Sequence, residues 1–134
     1  MEKLIINTDG GARGNPGPAG IGAVFSDESG VTIAEFMEYI RKTTNNVAEY
    51  KALILALENA KNFKYKEIEC RLDSELVVKQ LNGQYRVKDS GLKPLYIKVQ
   101  ELAIFQPISF VHVRREKNKL ADRLVNEAID EAGF

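Results

Sequence analysis

"TNNVAEYKALILALENAK", residues 44–61, decides the fold. From Thr44 onward apolar residues recur at helical spacing for about four turns, so this stretch is read as the first helix. Before it, "KLIINTD" (3–9), "GIGAVFSD" (20–27) and "VTIAEFMEY" (31–39) read as three strands of a meander. A glycine-rich loop joins the first two, and a turn at Ser29-Gly30 joins the second and third. After the helix, "IECRLD" (68–73) reads as a strand and "SELVVKQL" (74–81) as a short helix capped by Asp73 or Ser74. A further helix over 92–104, a strand at "ISFVHV" (108–113) and an amphipathic helix over 118–132 complete the order βββαβααβα. Two late strands separated by helices are reached by crossovers, which favours parallel pairing with helices packed on the sheet. The expectation is an α/β fold in one domain over 1–134.

With 134 residues, 44% of them apolar, the chain has the material for a real core. Nineteen basic residues balance nineteen acidic ones, so a nucleic-acid partner would have to be held by local charge. One cysteine, Cys70, and one histidine, His112, exclude a disulfide framework and the common zinc spacings. The longest unbroken apolar run, "ALILAL" (52–57), is too short to span a membrane, and no signal peptide fits the start. Cytosol is the expected compartment.

At about 100° per residue, Glu49 falls on the same helical face as Tyr50, Leu53, Ala56, Leu57 and Ala60. A carboxylate in a core-facing stripe is costly unless it is paired or binds a metal. Interaction with the helix dipole would explain its place near the first turn but not its face. Asp9 and Asp73 each close an apolar strand, and a right-handed crossover could set them side by side. Asp122 borders the apolar stripe of the last helix, formed by Ala121, Leu124, Val125, Ala128 and Ile129. Acids so placed, without a histidine or cysteine cluster, suit a hard cation bound by oxygens, Mg2+ or Mn2+.

Four motifs, "TDGGARGNPG" (8–17), "TTNNVAEYKAL" (43–53), "LDSELVVKQLNG" (72–83) and "NKLADRLVNEA" (118–128), resemble in order and spacing those of type 1 ribonuclease H. The resemblance covers nearly the whole chain. It implies a five-stranded mixed sheet, three antiparallel strands and then two parallel ones, flanked by helices. It also implies that Asp9, Glu49, Asp73 and Asp122 hold two Mg2+ ions, with Mn2+ as a substitute, roughly 3.5–4 Å apart. The implied activity is endonucleolytic cleavage of the RNA strand of an RNA/DNA hybrid, leaving 5′-phosphate and 3′-hydroxyl ends, by a monomer with no membrane partner. On the substrate side the resemblance implicates Gly10, Gly11, Asn15, Thr44, Asn45, Asn46, Ser74 and Asn118. The bare backbone from Gly10 to Gly17 would admit close approach of the nucleic acid, and Asn15 would reach the minor groove. Thr44, near Arg41 and Lys42, matches a position that seats a DNA-strand phosphate.

Two features depart from the family pattern. "GQYRVKDSGLKPLYIK" (83–98) is too short for the basic protrusion of many relatives, although Lys79, Arg86, Lys88, Lys93 and Lys98 keep some positive charge there. The loop "VRREKNKLAD" (113–122) lacks the histidine that relatives place before the last acid. His112 falls too early and reads as a strand residue, and Arg115 resembles the catalytic arginine of short-loop relatives. Transposases, integrases and resolvases share the fold but need extra DNA-binding domains. A catalytically silent hybrid-binding module is the alternative of a different class.

Overall fold

Thr44 ends the meander and starts the first crossover. Its backbone is extended, and its hydroxyl accepts from the Val47 amide at 3.3 Å, satisfying one of the orphan donors of the helix that follows. The computed structural model describes residues 2–134. Its strands are β1 (Lys3–Ala12), β2 (Gly17–Ser26), β3 (Thr32–Thr43), β4 (Glu67–Leu72) and β5 (Ile108–His112). Its α-helices are α1 (Asn45–Ala60), α2 (Glu75–Leu81), α3 (Lys93–Ala103) and α4 (Lys119–Glu131), with a 3-10 turn over Arg115–Lys117.

The sheet order is β3-β2-β1-β4-β5. β1, β2 and β3 pair antiparallel, and β4 and β5 add in parallel, as expected of the order read above. Side chains alternate across the sheet. Leu4 and Ile6 of β1 and Ala23 and Phe25 of β2 therefore join α1 and α3 in the main core, while Val24 meets Ala121 and Leu124 of α4 on the other face. Tyr50 is fully buried, and its hydroxyl donates to Gln80 Oε1 at 2.6 Å, tying α1 to α2. His112 is the last residue of β5, a strand residue as expected.

One expectation is corrected. Residues 10–12 are not loop: Gly10, Gly11 and Ala12 pair with Ile21, Gly20 and Ala19, so Asp9 lies inside β1 rather than at its end, and only residues 13–16 connect the strands. Glycine is a weak strand former, but tertiary pairing overrides that preference. Close packing is what demands the small residues. A Cβ on Gly10 would lie 2.3 Å from the Ala48 carbonyl of α1, and one on Gly22 would lie 2.8 Å from the Ala121 carbonyl of α4. Both helices thus ride directly on the sheet on either side of Asp9, whose ladder partner is Gly22.

Candidate active site

β1 outruns β4. Their last paired residues are Thr8 and Leu72, yet β1 continues to Ala12, leaving outward amides with no strand to receive them. A buried unpaired N–H is costly, and side chains of α1 take up both. Gly10 donates to Glu49 Oε1 at 3.0 Å, and Ala12 donates to Asn45 Oδ1 at 2.8 Å. The open sheet edge therefore draws Glu49 inward, beside Asp9. Ser74 caps α2 by accepting from the Val77 amide at 3.3 Å. Of the two candidate caps, then, it is Ser74 that serves, and the Asp73 carboxylate is left for the cleft.

Carboxylate oxygens of Asp9, Glu49 and Asp73 all lie within 4.8 Å of one another. Asp9 and Glu49 are only 8% and 7% exposed, and Asp73 is half-buried. Asp122, exposed in the first turn of α4, lines the same cavity of about 400 Å³ without joining the tight cluster. Glu49 Oε2 is buried and has no hydrogen-bond partner. Three acids with a free buried oxygen and, among the described residues, no salt-bridge partner fit a hard divalent ion.

Burial is the first cause that pushes the Asp9 carboxyl above its usual range, and the neighbouring Glu49 the second, with Asp73 and Asp122 adding to it. Burial also raises Glu49, but the hydrogen bond with Asp9 and then the Gly10 amide offset part of the rise, the Arg115 charge adding a smaller share. Asp9 and Glu49 thus behave as a pair that retains a proton in the absence of a cation.

The remaining residues implicated by sequence divide into two groups. Gly11, Asn45, Asn46, Ser74 and Arg115 line the acidic cavity. Asn15 lies exposed at its rim, where its Oδ1 accepts from the Asn45 amide at 3.0 Å. With both Oδ1 atoms occupied, Asn15 and Asn45 present their amide nitrogens as donors. Gly10 lines the cavity as well, whereas Thr44 and Asn118 are engaged inside the protein. The Gly10 amide serves Asp9 and Glu49, the Thr44 hydroxyl caps α1, and Asn118 is 1% exposed.

Sequence reasoning missed Arg13 and Asn7. Arg13 lines the cavity and is held by Asp130 at 2.8 Å, by the Phe134 carbonyl at 2.6 Å and by Asn126 Oδ1 at 3.2 Å. Asn7 donates to Asn118 Oδ1 at 3.1 Å. A polar residue in the middle of an apolar strand was the one available signal for Asn7. Arg13, inside a glycine-rich segment, gave none.

A mixed five-stranded sheet with carboxylates converging beside β1 defines the ribonuclease H class of folds. Residues 7–128 match the family model described as reverse transcriptase-like. LC11-RNase H1, solved in complex with an RNA/DNA hybrid, is 52% identical and superposes with a TM-score of 0.92 over 96% of this chain and 98% of that one. A bifunctional protein of Mycobacterium tuberculosis is 45% identical over 97% of this chain, which spans only 36% of that protein's length. A ribonuclease H of Clostridium botulinum is 31% identical over 98% of both chains. The chain belongs to the type 1 ribonuclease H family.

Proposed function

We propose that this chain is a metal-dependent endonuclease that cuts the RNA strand of RNA/DNA hybrids by two-metal-ion catalysis and leaves 5′-phosphate and 3′-hydroxyl ends. The observation that carries the reading is the Asp9, Glu49 and Asp73 cluster, with its oxygens within 4.8 Å and Glu49 Oε2 unpartnered. The hybrid bound by LC11-RNase H1, at 52% identity, supports the same substrate here. Asp9, Glu49 and Asp73, joined by Asp122 from the opposite wall, would hold two Mg2+ ions, or Mn2+ in their place. When bound, such ions lower the pKa of water and stabilise the leaving oxygen.

The protein's own part is to orient and to select. Asn15 and Asn45 offer amide donors to base edges and to 2′-hydroxyls, which RNA alone carries. Asn46, Gly11 and Ser74 shape the approach to the acids. Thr44 sets the start of α1 and, beside Arg41 and Lys42, the place for a DNA-strand phosphate. Arg115 keeps a positive charge near Glu49, where the scissile phosphate would otherwise meet only carboxylates. We read residues 1–134 as one domain acting as a monomer in the cytosol, which suits the lone, buried Cys70 and the absence, among the described residues, of a helix long and apolar enough to cross a membrane.

The test uses a labelled RNA/DNA hybrid, the matched double-stranded DNA and the single-stranded RNA, each with Mg2+ and with chelator. Cleavage of the hybrid's RNA strand alone, abolished by chelator, is expected. Hybrid binding without cleavage at any Mg2+ or Mn2+ concentration would make the chain a silent binding module instead.

A further inference from the structure

Asn118 occupies the N-cap position of α4 yet makes no side-chain bond to that helix. Its carboxamide turns inward. Nδ2 donates to the Thr8 carbonyl at 2.8 Å and to Asp73 Oδ2 at 3.3 Å, while Oδ1 accepts from Asn7 Nδ2 at 3.1 Å. A carbonyl and a carboxylate can only accept, so the orientation of Asn118 is dictated: its NH2 must face them and its oxygen must face a donor. Asn7 is that donor. It stands two residues before Asp9 on the same face of β1, half-buried, in a strand position where asparagine is disfavoured. Among the described residues, Asn118 also makes the one side-chain hydrogen bond to the Asp73 carboxylate.

We propose that Asn7 is a positioning residue that locks the Asn118 carboxamide and, through it, the rotamer of Asp73. The proposal rests on the metal-binding reading of the acidic cluster. Without the Asn7 donor, the Asn118 oxygen is left unsatisfied in a buried site, and the side chain gains by tilting toward another donor. A tilt lengthens the Nδ2 contact with Asp73, which is 3.3 Å at the start, and the carboxylate loses its fixed aim at the ion. Partners that orient metal ligands in this way matter to affinity nearly as much as the ligands do.

The test is calorimetric titration of Mg2+ into the metal-free protein, without substrate, for the wild type, Asn7→Leu and Asn7→Asp. Leucine keeps the branched shape, with bulkier methyl ends, and removes the donor. Aspartate also removes the donor, but it adds a negative charge that would by itself tighten cation binding. Both variants are expected to bind Mg2+ about tenfold more weakly, with KM for the hybrid unchanged at saturating Mg2+ and the kcat loss greatest at low Mg2+. In an Asn118→Ala background neither substitution should weaken Mg2+ binding further, because the path through residue 118 is already cut. Wild-type affinity in Asn7→Leu, or an equal loss in the Asn118→Ala background, would overturn the proposal. Should Asn7→Asp fail to fold, Asn7→Leu alone decides. Since calorimetry reads the ion without the hybrid, a wild type that binds Mg2+ but cuts nothing would sink the proposed activity and leave this inference to be decided on its own.

Discussion

The backbone amide of Gly10 donates to Glu49 Oε1 at 3.0 Å, and that contact exists because α1 lies so close to β1 that residue 10 has no room for a Cβ. The nearest obstacles to a methyl group there are the carbonyl carbon and oxygen of Ala48, both at 2.3 Å, with the Glu49 nitrogen at 2.6 Å. All three are backbone atoms, which no rotamer change can move. Gly10→Ala should therefore lift the start of α1 off the sheet, at a cost of about 2 kcal/mol, and carry Glu49 away from Asp9. Urea denaturation reads the stability, and hybrid cleavage corrected for the folded fraction reads the geometry. Corrected activity at the wild-type level would mean that the closeness of Glu49 to Gly10 is mere packing.

Glu49→Gln tests the acid itself. Glutamine keeps the volume and can still accept from Gly10 through Oε1, but it carries no charge for an ion. Cleavage should be lost almost entirely while the melting temperature of the metal-free protein stays level or rises, since a buried charge has been removed from beside Asp9. Asp73→Asn should behave alike. If Glu49→Gln instead unfolds the protein and leaves activity in proportion to what remains folded, the carboxylate serves the fold and not the chemistry.

Much of this geometry was legible in the sequence because helical periodicity exposed Glu49 on a buried face. The element order was legible too, since each helix and strand keeps its own apolar spacing. The extent of β1 and β2 was not. Gly10, Gly11, Gly17 and Pro18 are weak strand formers, and the close approach of α1 explains Gly10 but not Gly11, where a Cβ would meet only ordinary contacts. Nor was the fate of the asparagines. Thr44, Asn45 and Asn118 all stand at a helix start, but only Thr44 gives its side chain to the helix. Asn45 satisfies an amide stranded by the early end of β4, and Asn118 is drawn inward by Thr8, Asp73 and Asn7. Such assignments depend on which buried groups lack partners, and that is known only once distant segments meet.

Crowded carboxyls without a cation impose a pH dependence whose sign is fixed. Burial, followed by Glu49, pushes the Asp9 carboxyl from 3.8 up to about 10, so across that window the folded protein holds a proton that the unfolded chain has released. Stability of the metal-free protein should then fall as pH rises from about 4 toward 10. Saturating Mg2+ should flatten the decline by replacing the proton, with proton release on binding. Asp9→Asn should flatten it without any metal. Thermal melts from pH 5 to 9 with chelator or with Mg2+ provide the measurement, and a metal-free protein whose stability climbs over that range would contradict the shared-proton picture.

Arg115 poses the sharpest question about the loop before α4. It lines the acidic cavity and its charge reaches Glu49, whereas Lys117, in the same 3-10 turn, lines a different cavity with Asn7 and Asn118. If Arg115 contacts the scissile phosphate or the departing product, Arg115→Ala should lower kcat more than it raises KM, because the contact matters chiefly after the hybrid is bound. A merely electrostatic role predicts the reverse: a higher KM, a salt dependence reduced by about one phosphate contact and an unchanged kcat. Lys117→Ala supplies the comparison, since it removes one positive charge a few residues away from a side chain that does not face the acids. At matched salt, Arg115→Ala should show the kcat defect and Lys117→Ala only the KM defect. Superimposable profiles would reduce Arg115 to one charge among the four that Arg114, Arg115, Lys117 and Lys119 place on this loop.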